Sequence, residues 1–221
     1  MKINSARLTS LALGAGTVLL AGCSILAPQP DPSRFFVLAP LADATARTSG
    51  SEAEPLPSAV LGVGPIKLPP YLDRNAMAIR VSATQITYSS LDLWAEPLDV
   101  NVAHVLLQNL SVLLGTERIL MYPWPIAVKV NYQVEVQVLR FDTSSSGEAQ
   151  LTARWSIKEG STQRYVAVRE SNFARPATSA DVAASVAALS AALGDLSEEI
   201  ATTVRHLPRP EQPATGSGKR S

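Results

Sequence analysis

The sequence predicts a single mixed α/β (α+β) domain, with one mixed β-sheet, an antiparallel meander within it and two main helices packed on it. Three observations carry this prediction. Residues 127–140 alternate apolar and polar side chains, and the same alternation returns over 151–157 and 165–173. Two longer stretches, 97–114 and 179–204, instead repeat apolar residues every three or four positions, the spacing of one helix face. Short runs rich in β-branched residues precede the first helix and supply further strands.

In chain order, Phe35, Phe36, Val37 and Leu38 form a short strand that Pro40 ends. Residues 41–57 are rich in Ala, Ser, Thr, Glu and Pro and read as a surface loop. Residues 60–68 give a second strand, stopped by Pro69 and Pro70, with Gly62-Val63-Gly64-Pro65 as a bend inside it. The segments 77–81 and 85–88 are expected to pair as a hairpin. The first helix opens at Pro97, whose missing N–H suits a first turn, and closes at Gly115. Leu98, Val102, Val105, Leu106, Leu110 and Leu113 share its buried face.

The clearest strand follows at 127–140. Val128, Val130, Tyr132, Val134, Val136 and Val138 point to the core, and Lys129, Asn131, Gln133, Glu135 and Gln137 to water. A turn at 143–147 leads into Leu151, Ala153, Trp155 and Ile157, which alternate with Thr152, Arg154 and Ser156. A loop at Gly160 then starts the third meander strand. The second helix begins near Ser179 as N-cap, with Asp181 in the favourable first turn. Its stripe is Val182, Val186, Leu189, Leu193, Leu196, Ile200 and Val204, flanked mostly by alanine, which suits docking on a sheet better than a coiled coil.

The N-terminal segment has its own signature. Lys2 and Arg7 precede an apolar run over residues 8–20, the length of a secretory h-region and short for a membrane span. The run ends in Leu20-Ala21-Gly22-Cys23, which resembles the bacterial lipoprotein signal. On that reading residues 1–22 are removed and Cys23, the chain's one cysteine, becomes the diacylated (palmitate-bearing) N-terminus. An ordinary signal peptide that happens to hold a cysteine is the plainer alternative. Two acyl chains anchor durably, at ~0.8 kcal/mol per buried CH₂. Residues 23–33, with Pro28, Pro30 and Pro32, read as a stiff tether to a domain over 34–206, and the Pro/Gly-rich residues 207–221 as a disordered tail. The 11 residues from Cys23 to Arg34 reach about 36 Å at full stretch, which holds the domain near its membrane.

Composition narrows the function. Without residues 1–22 the chain carries 17 basic and 19 acidic residues, so no basic excess points to nucleic acid. No catalytic residue and no metal or cofactor site stands out, and an enzyme is not expected. His104 sits among apolar helix positions and His206 in the last turn of a helix, neither at metal-ligand spacing. Adjacent Glu198 and Glu199 do not face each other on a helix. The chain lacks a nucleophile elbow and a phosphate-binding glycine loop.

Two segments place bulky side chains on stiff backbone. Leu68, Pro69, Tyr71, Leu72, Asp73 and Arg74 form one, and Trp94, Glu96, Pro97 and Leu98 the other. Aromatic residues and arginine on rigid loops are what partner-binding sites favour. The competing reading has Tyr71 and Leu72 covering the open end of the core and Trp94 stapling the helix.

At these residues the sequence resembles the ABC-type transport auxiliary lipoproteins, the PqiC family. The matching pieces are the lipobox at Cys23, Phe35-Phe36-Val37-Leu38, Val63-Gly64-Pro65-Ile66, Leu68 through Arg74 and Trp94-Ala95-Glu96-Pro97-Leu98. Asn109-Leu110, Leu114-Gly115, residues 132–142, Leu151-Thr152-Ala153-Arg154-Trp155 and the alanine-rich second helix complete them. The resemblance implies a TolB N-terminal-like fold in which the first helix is compatible with a parallel crossover. It also implies an auxiliary docking subunit of an MCE-type ABC lipid transport system that supports envelope integrity. The expected partner is an MCE-domain periplasmic tunnel protein (PqiB-like), with a homo-oligomer possible. Ser24 in place of a retaining aspartate implies the outer membrane, periplasmic face. A lipid carrier or an envelope-assembly lipoprotein is the alternative; a carrier needs an apolar cavity of several hundred Å³, on the order of a small-molecule pocket.

Overall fold

The computed structural model describes residues 31–41, 59–179 and 181–208. Cys23 and its leader, most of the 41–57 loop and all of the tail beyond Pro208 lie outside the described residues. The chain divides between Pro32 and Ser33, and the unit from Ser33 onward is the domain described here.

Its strands are β1 (Arg34–Phe36), β2 (Leu61–Lys67), β3 (Ala76–Arg80), β4 (Ile86–Trp94), β5 (Ile119–Met121), β6 (Tyr132–Ser144), β7 (Glu148–Glu159) and β8 (Tyr165–Pro176). The helices are α1 (Leu98–Leu114) and α2 (Val182–Arg205). All eight strands join one mixed sheet organised by β6. On one side β6 pairs with β7, and β7 with β8, as the antiparallel meander that the alternation predicts. On the other side it takes two strands in succession, both parallel. β2 lies along its first half, with Leu61 opposite Tyr132 and Lys67 opposite Gln137. β3 meets its far end, with Ile79 opposite Thr143. Pro69 and Pro70 separate the two, because neither has an N–H to continue a ladder. β5 extends the sheet beyond β2, and β4 then β1 extend it beyond β3.

Several boundaries differ from the sequence reading. β6 begins at Tyr132, not residue 127, because Pro123 and Pro125 interrupt the run and Val128 closes a turn on the Pro125 carbonyl. It continues to Ser144, past residue 140, after a bulge between Val138 and Arg140 that brings Phe141, Asp142 and Thr143 inward. β4 extends to Trp94 because β1 pairs with Asp92, Leu93 and Trp94. β5 has three residues, too few for a periodic signal. Pro97 is the N-cap of α1 instead of a first-turn residue, and α2 is capped at Asp181, not Ser179. α1 makes no parallel crossover, since β4 and β5, the strands that flank it, run in opposite directions. Gly115 closes α1 in the left-handed region (φ 61°), as predicted.

Both helices pack on one face of the sheet, α1 over β2 and β5 and α2 over β6, β7 and β8. The predicted stripes form the core. Leu106, Leu110, Leu193, Leu196 and Ile200 are fully buried against Val63, Val134, Trp155 and Ile157. Each such side chain contributes about 1.5–3 kcal/mol on burial.

A further component crosses the helical layer. After β1 the chain runs as an extended strap through Leu41, its amides caught by side chains from both helices. Leu38 N–H donates to Asn101 Oδ1 (2.8 Å), Ala39 N–H to Ser190 Oγ (3.0 Å) and Leu41 N–H to Asn109 Oδ1 (2.7 Å). Asn109 Nδ2 in turn donates to Ser197 Oγ (3.0 Å). At Gly194 an added Cβ would stand 2.8 Å from Leu41 Cδ2, so the helix has no side chain where the strap crosses.

Candidate docking surface

The two candidate segments come together in the fold. Trp94 N–H donates to the Asn75 carbonyl (2.7 Å), which lays the end of β4 beside the chain following Arg74. Their side chains divide between core and surface. Leu72, Trp94 and Leu98 are core residues, 4%, 5% and 3% exposed, which corrects the expectation that they offer contact area to a partner. The ladder with β1 and β3 turns Trp94 inward, and the first turn of α1 does the same for Leu98. Asp73, Arg74 and Pro97 remain exposed, while Leu68, Pro69, Tyr71 and Glu96 are half-buried. Leu68, Pro70 and Asp73 share a surface depression with Ile66 and Asp99 of α1.

Tyr71 is fastened from below. Pro70–Leu72 form a single 3-10 turn, closed by Leu72 N–H on the Pro69 carbonyl (2.9 Å). Its hydroxyl donates to Asp142 Oδ2 (3.1 Å). The Asp142 side chain is fully buried and also receives Arg80 Nη2 (2.7 Å) and Arg140 Nε (2.9 Å). A buried carboxylate is tolerated with this many donors around it. Burial, and then the adjacent Asp142 charge, push the Tyr71 hydroxyl above its ordinary range. The Arg80 guanidinium is likewise raised, first by its hydrogen bond to Asp142. Tyr88 Oη donates to the Tyr71 carbonyl (3.2 Å), and the Arg74 guanidinium lies 4.1 Å over the Tyr88 ring. Arg74 and Asp73 thus stand on a rigid mount.

Beside α2, Leu72, Met77, Trp94, Phe141, Val186 and Leu189 line the apolar part of a cavity of about 130 Å³, whose remaining lining includes Ser89, Asp92, Thr143 and Ser185. That volume is well below the several hundred Å³ an acyl-chain carrier needs. His104 Nδ1 lies 3.6 Å from Glu96 Oε2, and Glu96 also accepts from Asn101, a residue holding the strap. Among the described residues, no cluster of three or more His, Cys, Asp and Glu side chains suits a metal ion, and no helix is long and apolar enough to cross a membrane.

One exposed apolar segment escaped the sequence reading. Between β5 and β6, Tyr122-Pro123-Trp124-Pro125-Ile126 loops out, with Tyr122 51% exposed and Ile126 fully exposed. The usable signal was the one applied at residues 68–74, aromatic side chains flanked by prolines.

The chain matches the family model described as ABC-type transport auxiliary lipoprotein component over residues 36–201. No curated protein matches the sequence. Among solved structures, a Xanthomonas campestris protein of the DUF330 family, XCC0632, is similar with a TM-score of 0.65 at 20% identity, covering 78% of this chain and 96% of that one. A crystal structure of an uncharacterized protein gives a TM-score of 0.62 at 19% identity, with 78% and 99% covered. At such identities the two structures speak to the fold alone. The family match spans the sheet, the strap and nearly all of both helices, so the chain belongs to the ABC-type transport auxiliary lipoprotein component family.

Proposed function

We propose that the chain is a docking subunit of an MCE-type lipid transport system, tethered through diacylated Cys23 to the periplasmic face of the outer membrane. The observation that carries this reading is the family match over 36–201, joined to a lipobox ending at Cys23. A tether of 11 residues, about 36 Å at most, leaves the crossing of the periplasm to the partner, an MCE-domain tunnel protein. The chain's part is to hold the end of that partner and so support envelope integrity. Asp73, Arg74 and Pro97, which are exposed, and the half-buried Leu68, Pro69, Tyr71 and Glu96 are the contact residues retained from the sequence reading. Their neighbours Leu72, Trp94 and Leu98 act by holding them in place. The most apolar cavity, about 130 Å³, is small for an acyl chain, and the larger depressions of about 370–560 Å³ have mixed polar linings, which favours docking over lipid carriage.

The test is cross-linking of the full-length chain in native envelopes. Recovery of an MCE-domain protein, lost in Asp73→Ala/Arg74→Ala with thermal stability unchanged, supports docking. Recovery of outer-membrane assembly factors alone assigns the chain to envelope biogenesis instead. Cys23→Ser is expected to release the protein from the membrane fraction. Native mass spectrometry that finds a bound phospholipid would restore the carrier reading.

A further inference from the structure

From the loop between β5 and β6, we infer a second docking element: an apolar knob, Tyr122 through Ile126, that seats in an apolar socket on a periplasmic protein partner. The inference rests on the tethered docking reading. Its first support is the way the loop is built. Pro123 and Pro125 restrict the backbone, and Tyr122 and Trp124 pack edge to face, ring centroids 5.5 Å apart. Trp124 lies on Gly62 of β2, where an added Cβ would stand 2.6 Å from the indole ring. A Cβ at Gly64 would stand 3.0 Å from Tyr122 Cβ. The base of the knob is therefore seated in a notch made by two glycines, while Ile126 at its tip is fully exposed. Rigid presentation of an apolar side chain lowers the ordering cost of binding.

Its position selects the partner. The chain enters the domain at Arg34, whose side chain reaches Asp92 (2.6 Å) and lies 3.9 Å from Asp181, the N-cap of α2. That is the end of the sheet where β6 finishes. The knob lies over β2 near the start of β6, where Asn131 N–H bonds to the Val60 carbonyl. The chain's entry at Arg34 and the knob thus lie at opposite ends of the strands, and a domain held from the first end presents the second away from its own membrane. This favours a protein arriving across the periplasm over the bilayer that holds the anchor.

The experiment places a photo-cross-linking amino acid at Ile126, and separately at Arg74, in the full-length lipidated chain in native envelopes. Adducts are identified by mass spectrometry. The expected result is an adduct from position 126 to a component of the transport system. Ile126→Asp should then weaken binding of that component by about 10- to 100-fold, the loss of one buried isoleucine, without moving the melting temperature. Adducts from 126 to phospholipid only, or to a second copy only, overturn the proposal, as does unchanged binding by Ile126→Asp. Transport adducts from Arg74 with none from 126 overturn the knob and leave the docking reading standing. No transport adduct from either position overturns both.

Discussion

Two segments with the same local chemistry end in opposite places. Leu68 through Leu72 and Tyr122 through Ile126 each combine prolines with aromatic and aliphatic side chains. The first turns its apolar groups inward, with Leu72 4% exposed, while the second leaves Ile126 in water. The difference comes from partners far away in sequence. Asp142 stands ready to accept the Tyr71 hydroxyl, and the sheet has room beneath Leu72. At Tyr122 the surface below is two glycines of β2, which accept flat rings from above and offer no cavity for the tip. Proline-flanked aromatics therefore mark rigid presentation, and long-range partners decide whether the presented group faces the core or a visitor.

That contrast can be broken at several points. Trp94→Ala should have the largest effect, a loss of about 3–5 kcal/mol in denaturant unfolding, as for a large aromatic removed from a core. A stable Trp94→Ala variant would return this residue to the surface. Gly62→Ala should cost about 1–3 kcal/mol by overpacking and push the Trp124 ring off β2, read as a red shift in tryptophan fluorescence. Tyr71→Phe should cost about 1.5–3 kcal/mol, the range for one hydrogen bond to a charged group. It should also change the alkaline limb of stability. The folded domain holds the Tyr71 proton more tightly than the unfolded chain does. The stability this contributes is complete below the ordinary tyrosine value of about 10 and is lost as pH rises through the folded value. Tyr71→Phe should remove that share of the alkaline loss in a pH series of melting temperatures. Ile126→Ser should be the smallest change, within about 0.5 kcal/mol, because nothing in the fold rests on it.

Periodicity made much of this fold readable. The valines of β6, Trp155 in β7 and the Val186–Val204 stripe of α2 fall where their spacing puts them, since burial on one face leaves a regular mark. What periodicity cannot report is polar pairing across long separations. Asn101, Asn109, Ser190 and Ser197 look like ordinary helix residues, yet they hold the strap. Asp142 does not stand out among the other polar residues of β6, and its donors Arg80 and Tyr71 come from 62 and 71 residues away. The candidate docking residues were half legible for the same reason. Side-chain type marked both segments, and only the ladder of β1, β3 and β4 shows Trp94 turned inward.

The strap also has a mechanical meaning. Any pull on the N-terminal chain enters the domain at Arg34 and runs along β1, which lies parallel to β4 with three residues in register. The load is then shared by the amides of Leu38, Ala39 and Leu41, each held by a side chain of a different helical turn. Tension along this path shears those bonds together instead of peeling them one at a time, and it draws on α1 and α2 at once. If the domain is fastened by its N-terminus, as proposed, it is gripped through its whole helical layer, not by one frayed edge strand.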